Sequence, residues 1–428
     1  MHAAMLSVVH NHGAAGVDNM PAEELLIQYP KQCNRIREDI LAKRYEPKPV
    51  RRVYIPKANG KMRPLGIPTV LDRMVQQATA QVLSRVYEPF FSDHSYGFRP
   101  HRDCKKAIAR CLEYLNEGYE WVVDFDIEKY FDTVNHDKLI SILREQVKDS
   151  ETLHLIRTFL KAGVMEDGVV SDTDEGVPQG GCVSPILANI YLDKLDKELE
   201  SRGLRFVRYA DDFDIFVGSE MSADRVMKSV SSWLERKLHL KVSATKTKVV
   251  RPMKSNFLGF TFWKEGKIWK CKPTDKAKDN LCSKVKILLK RKSASATGLW
   301  QTFTKLNQVV RGWINYYGAG SMKGYLRDTF GPWMRHKVRV VIVKQWKNCE
   351  TIERNLRRLR DKTMSNISND DIHIVAVSRL GLYRRCGMNV INYLLSAKVL
   401  AMPKENRYDK RKSRPGLVDP YLYYLGLK

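Results

Sequence analysis

Two adjacent carboxylates, Asp211 and Asp212, stand in the run Arg205-Phe-Val-Arg-Tyr-Ala-Asp-Asp-Phe-Asp-Ile-Phe-Val217. β-Forming residues flank them on both sides, so the segment reads as strand, tight turn, strand. Like charges at a hairpin tip repel unless a cation neutralises them, and donors made only of carboxylate oxygen suit Mg²⁺. A second acidic block, Val122-Val-Asp-Phe-Asp-Ile-Glu-Lys-Tyr-Phe-Asp132, follows an almost continuous apolar run, the pattern of a central strand. Phosphoryl transfer by two metal ions roughly 3.5–4 Å apart needs carboxylates contributed by different strands. Asp211 from the hairpin and Asp124 or Asp126 from the strand meet that requirement if the strands are neighbours. Asp124 and Asp126 share one strand face by the two-residue period, so spacing alone leaves the choice between them open.

Two further segments carry binding chemistry. Gly176-Val-Pro-Gln-Gly-Gly-Cys-Val-Ser-Pro185 precedes a helical pattern. Its glycines, Gly180 among them, permit close backbone approach to a ligand, and Gln179 is both donor and acceptor. Lys57 and Arg63 flank the turn Ala58-Asn-Gly-Lys61 between two short strands. Two cations on such a hairpin suit a triphosphate.

The elements that must position these groups follow from periodicity. Residues 1–45 read as helical around a loop at 11–19. Strands are expected at 51–57 and 62–67, helices at 72–87 and 105–115, a strand at 120–127 and a helix over 136–158 capped near Asn135. A long helix over 185–202, the acidic hairpin, a helix over 222–238 and short strands at 247–250 and 257–262 complete this part. Hairpins mixed with helices, without a βαβ repeat, predict an α+β class with an antiparallel sheet covered by helices. Beyond residue 274 the pattern is mainly helical, at 274–292, 299–317 and 332–348. Residues 348–371 read as a polar linker with one short helix, ahead of a small mixed, basic region.

Charge divides the chain more sharply than pattern does. The 428 residues carry a net charge of +26, and residues 261–428 hold 36 Lys and Arg against 12 Asp and Glu, whereas residues 1–260 hold 38 against 36. The basic part also contains Trp300, Trp313, Trp333 and Trp346. A folded cationic surface with aromatics is the footprint of phosphate-backbone binding. None of the eight cysteines is spaced Cys-x-x-Cys, which argues against a zinc ribbon. No apolar run approaches the roughly 18 residues of a membrane span. With no secretory signal at its start, the chain reads as a cytoplasmic protein with reduced thiols.

Together these blocks resemble the group II intron-encoded reverse transcriptases that also act as maturases. The resemblance covers almost the whole chain. It rests on the Gly-x-x-Gly-Val-Asp loop at 13–18, Ile55-Pro-Lys with Arg63-Pro-Leu-Gly-Ile-Pro68 and Asp72-Arg73, and Ser95-Tyr-Gly-Phe-Arg-Pro100. It continues through the Asp126 block, Gly176-x-Pro-Gln-Gly with Ser184-Pro185 and Asn189, and the Tyr-Ala-Asp-Asp hairpin. Lys246-Thr247 and Leu258-Gly-Phe260 follow, all in family order. Leu306-Asn-Gln-Val-Val-Arg-Gly-Trp-Ile-Asn-Tyr-Tyr317 resembles the family's thumb, or maturase, domain.

The resemblance implies a right-hand polymerase. An N-terminal extension occupies 1–45 and fingers and palm 46–262. A helical thumb follows at 263–348, and a basic end of thumb or nucleic-acid-binding segment at 349–428. It selects Asp126 over Asp124 as the first metal ligand, with Asp211 and Asp212 completing a set for two Mg²⁺ ions. It makes Phe131 the residue under the sugar that rejects a ribose 2′-OH. Lys57 and Arg63 become the triphosphate contacts, Gln179 and Gly180 the nucleotide pocket, and Leu258-Gly259 the primer support. Lys246 reads as a phosphate contact or proton donor. The expected partners are dNTPs, an RNA template that includes the intron RNA, and a DNA or RNA primer. Met1 stands just ahead of the Gly-x-x-Gly loop, so part of the family's N-terminal helical extension is expected to be absent, and no nuclease module is expected after about residue 350. A domesticated reverse transcriptase in repair or phage defence and a non-catalytic RNA-binding splicing factor are the alternatives.

Overall fold

The computed structural model describes residues 1–56, 60, 62–403 and 414–427. They form two compact units, Met1–Leu258 and Gly259–Lys428.

The first unit is built on two four-stranded sheets. Strands β1 (Val50–Pro56) and β2 (Met62–Ile67) form an antiparallel hairpin, and β4 (Val164–Glu166) pairs with β1 in parallel over two residues and carries β5 (Val169–Ser171). The hairpin β4–β5 is additional to the strands expected from periodicity. Its strands are three residues each and too exposed to show a hydrophobic alternation.

The second sheet has the order β6-β7-β3-β8, from Arg205–Tyr209, Asp212–Val217, Trp121–Asp126 and Lys248–Val250, with every pairing antiparallel. One face of it packs into the main core. Phe125 and Phe213 stack there at 4.7 Å, and the helices Ser184–Ser201, His136–Gln146 and Glu220–Leu238 close over it. The core side needs alternate residues only, so the opposite face is free to carry the aspartates of β3 and β7.

The single helix expected over 136–158 is two, His136–Gln146 and Ser150–Leu160. Asp149 adopts extended backbone and its side chain accepts from Thr152 N, so a new N-cap starts where the apolar period alone runs on. The helices His2–His10 and Leu25–Leu41 share a smaller core with Val70, Met74 and Phe159.

The second unit starts with the hairpin β9 (Phe260–Glu265) and β10 (Ile268–Pro273) and is otherwise helical. Its helices include Asp275–Leu288, Leu299–Tyr317 and Gly331–Gln345. The expected linker at 348–371 is instead the helix Cys349–Thr363 followed by the start of Asn369–Val377. Only Ile352 and Leu356 of the first of these are buried. Two anchors one turn apart suffice to dock a helix whose many charges hide it in the sequence. The same core runs on through Ile391, Leu394 and Leu417. No helix among the described residues is long and apolar enough to cross a membrane.

Candidate active site

The register of the second sheet places the acidic residues. Asp126 on β3 lies opposite Asp212 on β7, and Asp124 lies opposite Asp214. Residues two apart on a strand share a face, so these four carboxylates form two rows on one side of the sheet. Asp211 stands in the turn between β6 and β7.

Burial pushes Asp212 up to about 8, with repulsion from Asp124, Asp211 and Asp126 added to it. Burial also raises Asp211, again with Asp126 contributing. Asp214 is fully buried and held well above the carboxylate range, and its Oδ1 has no hydrogen-bond partner. These shifts describe carboxylates withdrawn from water and crowded by one another, a state that a divalent cation would relieve.

Local cations relieve part of it. Lys246 Nζ lies 2.9 Å from both Asp126 oxygens. Lys248, one strand over, stands 3.3 Å from Asp124. Among the described residues no three His, Cys, Asp or Glu side chains converge as a ready coordination shell. With Lys246 on Asp126, the donors are the right chemical kind for Mg²⁺ but are not drawn together.

The turn bearing Asp211 is held from below. Ala210 takes a left-handed φ of 61°, a conformation that costs a side-chain-bearing residue roughly 1 kcal/mol or more. Arg208 is fully buried on β6, and its Nη1 donates to Ala210 O at 2.9 Å and to Asn189 Oδ1 at 3.1 Å. Its Nε donates to Asp196 Oδ1 at 2.7 Å. Asn189 in turn donates to Gly97 O at 2.8 Å. A Cβ on Gly97 would lie 2.4 Å from Ala210 N, so the Ser95–Pro100 block can meet the turn only with glycine there.

Asn189 and Gly97 lie in blocks that the sequence marks, whereas Arg208 and Asp196 do not stand out there. A signal for them exists. Arg208 follows Phe206 by two, on the core face, and an arginine there demands an acid. Asn189 and Asp196 are seven apart, two turns up the buried side of one helix.

The residues expected at the nucleotide come from three segments. Arg63 Nε on β2 donates to Gln179 Oε1 at 3.0 Å, and Gly66 N donates to Gln179 O at 2.7 Å. Gly180 has φ +112°, and a Cβ on it would stand 2.6 Å from Gly66 O. Gly176 is packed against the carbonyls of Phe131 and Asp132, and Val177 N donates to Phe131 O at 2.6 Å. Phe131 is half-buried, edge-on to Tyr130 at 5.3 Å. Tyr130 is fully buried and donates to Ala188 O at 2.8 Å, which fixes the short helix that presents Phe131. The structure therefore brings Arg63, Gln179, Gly180 and Phe131 into one framework. Lys57 lies outside the described residues.

Leu258 closes the first unit with φ 53°. Gly259 opens the second, with φ +79°, and a Cβ there would meet Tyr317 Oη at 2.5 Å. The Leu258-Gly259 turn is thus where the two units join in sequence.

Comparison with known proteins places these features in one family. Residues 55–262 match the model for reverse transcriptase (RNA-dependent DNA polymerase), and residues 279–360 match that for the group II intron maturase-specific domain. Protein YkfC of Escherichia coli (strain K12) is 34% identical over 272 residues, covering 55% of this chain and 71% of that protein. The group II intron-encoded protein LtrA of Lactococcus lactis subsp. cremoris is 32% identical over 372 residues, covering 65% of this chain and 62% of that protein. The putative COX1/OXI3 intron 2 protein of Saccharomyces cerevisiae is 35% identical over 237 residues, covering 55% of this chain and 26% of that protein. The described fold is the mixed helix-and-sheet arrangement expected from the sequence, and the family's chemistry uses Mg²⁺ and nucleic-acid substrates. The chain belongs to the group II intron-encoded reverse transcriptases and maturases, a family of RNA-directed DNA polymerases.

Proposed function

We propose that this protein extends a primer 3′-OH on an RNA template with dNTPs, and that it binds the folded RNA of its own intron to assist splicing and mobility. The observation that carries the catalytic reading is the pair of acidic rows across β3 and β7, capped by Asp211 in the adjoining turn. Asp126, Asp211 and Asp212 would hold two Mg²⁺ ions. When bound, the ions supply charge neutralisation at the primer oxygen and the triphosphate.

The chain's own residues do the positioning. Arg63, braced by Gln179, takes the triphosphate, and Lys57 is assigned the same role. Gly180 lets the loop backbone pass close to β2 beside the base. Phe131, fixed by Tyr130, stands against the 2′-position of the sugar. Leu258 and Gly259 support the primer end. Lys246 leaves Asp126 for a substrate phosphate as the site fills; its side chain is two-thirds exposed and free to swing. Catalysis of this kind is orientation plus preorganised charge.

The strongly basic second part of the chain supports the RNA-binding half of the reading. The fingers and palm are assigned to 46–262, the thumb to 263–348, and the basic end of the chain to the same RNA-facing role. None of the cysteines among the described residues stands in a disulfide, which suits a cytoplasmic setting.

The test is extension of a labelled DNA primer on RNA and on DNA templates across a Mg²⁺ titration. Metal-dependent extension on RNA supports the reading. RNA binding without extension at any Mg²⁺ concentration returns the chain to a splicing factor.

A further inference from the structure

The second unit contains a cavity of about 940 Å³ between the helices Leu299–Tyr317, Gly331–Gln345 and Cys349–Thr363 and the segment around residues 393–403. Its walls are aromatic, with Trp300, Trp346 and Tyr393, and its rim is cationic, with Arg358, Lys362 and Lys398. No acidic side chain is among the described residues that line it.

Two features separate this cavity from an ordinary packing defect. Trp300 is 42% exposed and Tyr393 62% exposed, although a core of apolar side chains lies directly beneath. Exposed apolar residues scattered singly are ordinary, but large aromatics gathered on the wall of one cavity mark a binding surface. The cations of the helix Cys349–Thr363 are also divided. Arg357 pairs with Glu353 and Arg360 with Asp361. Arg358 and Lys362, one turn apart on the cavity side, make no ion pair among the described residues, nor does Lys398.

We propose that this cavity receives unpaired bases of single-stranded RNA, with the bases stacked on Trp300 and Tyr393 and the flanking phosphates on Arg358, Lys362 and Lys398. The proposal rests on the reading of the chain as an RNA-binding reverse transcriptase and gives that reading a specific second site. Aromatic platforms inside a cationic groove are how proteins hold single strands without sequence preference. A duplex keeps its bases stacked inward and cannot use the aromatic walls. The volume lies at the upper end of the roughly 300–1,000 Å³ of small-ligand sites, so an extruded base and part of its neighbour fit. Asn355 and Ser396 on the wall offer polar atoms to a base edge.

The experiment uses the full chain, an unstructured 12-nucleotide RNA, and the same RNA annealed to its complement, with binding read by fluorescence anisotropy. Trp300→Ala and Tyr393→Ala are expected to weaken the single strand by about 5- to 100-fold, leave the duplex unaffected, and leave the salt slope unchanged. Trp300→Phe should retain most of the affinity. Arg358→Gln and Lys362→Gln should each lower the slope of log K against log salt by about 0.7. Tyr393 is mostly exposed, so its variant stays informative even if Trp300→Ala disturbs folding. Equal losses on duplex and single strand, or no loss on either, would overturn the proposal. So would displacement of the RNA by a polyglutamate 12-mer at matched concentration, which would make this an acidic-peptide site. None of these readouts needs catalysis, so an inactive polymerase centre would count against the proposed function and not against this cavity.

Discussion

Arg208 and Asp196 form a fully buried ion pair directly beneath the turn that presents Asp211. The same guanidinium donates to the carbonyl of Ala210, the residue in left-handed conformation at that turn. A charge pair taken wholly out of water returns little net stability. Its use here is geometric, because Arg208 joins the helix Ser184–Ser201 to the acidic hairpin by hydrogen bonds in a planar fork.

Removing one partner strands the other charge. Asp196→Leu or Arg208→Met alone should destabilise the protein by about 3–5 kcal/mol, measured by urea unfolding. The double variant Asp196→Leu with Arg208→Met should recover most of that loss yet remain deficient in primer extension, since nothing then holds the Ala210 carbonyl. Full activity in a stable double variant would show that the pair serves packing alone.

The acidic rows make stability depend on pH in an unusual direction. Folded Asp212 keeps its proton up to about pH 8, whereas its ordinary value is 3.8. The folded state therefore binds more protons than the unfolded state between those values, and stability falls as pH rises through that window. Without divalent metal, Tm should drop by at least about 4 °C between pH 5 and pH 8. Mg²⁺ should restore more of it at pH 8 than at pH 5, because it competes with the proton for the same oxygens. Asp212→Asn should flatten the metal-free profile. A Tm that rises with pH would contradict the crowding of charge described for this sheet.

Phe131→Ala should relax sugar selection. Tyr130 and the Gly176 loop fix the backbone at this position, so truncation removes the ring without moving its support. The ratio of kcat/KM for dNTP over rNTP should fall by at least about tenfold, a loss of roughly 1.4 kcal/mol of discrimination. An unchanged ratio would return Phe131 to a packing role.

Much of this arrangement is legible in the sequence, and the reasons differ by element. The hairpin around Asp211, the strand bearing Asp126 and the long helix after Pro185 each carry strong periodicity and distinct ends. The ambiguity between Asp124 and Asp126 is real, because both lie on the same sheet face and both meet an aspartate on β7. The Arg208–Asp196 link is hard to read because it joins a strand to a helix, and Asp196 is one acid among several in the charged stretch Asp193-Lys-Leu-Asp-Lys-Glu198. The helix Cys349–Thr363 is hidden because two buried side chains anchor fifteen residues. The pairing of Lys246 with Asp126 also lies beyond sequence, since several lysines in that stretch are equally placed to reach a carboxylate.

RNA affinity should be mainly electrostatic and carried by the second unit. Replacing the exposed Lys276, Lys284, Lys286, Lys290, Lys292 and Lys305 with glutamine in the full chain should lower the salt slope by roughly 0.7–0.9 for each phosphate left without its cation. An equal number of such replacements on the first unit should change it little. Equal slopes for both sets would mean that the charge asymmetry of the chain is unrelated to RNA binding.

The carboxylates of β3 and of the β6–β7 turn are proposed to perform RNA-templated DNA synthesis. The direct measurement is single-turnover primer extension on an RNA template by the unaltered protein and by Asp211→Asn and Asp126→Asn, with RNA affinity measured in parallel. Mg²⁺-dependent extension should fall at least about 100-fold in either variant, while RNA affinity stays within about threefold because it rests on basic surfaces. Extension by either variant at the unaltered rate would contradict that role.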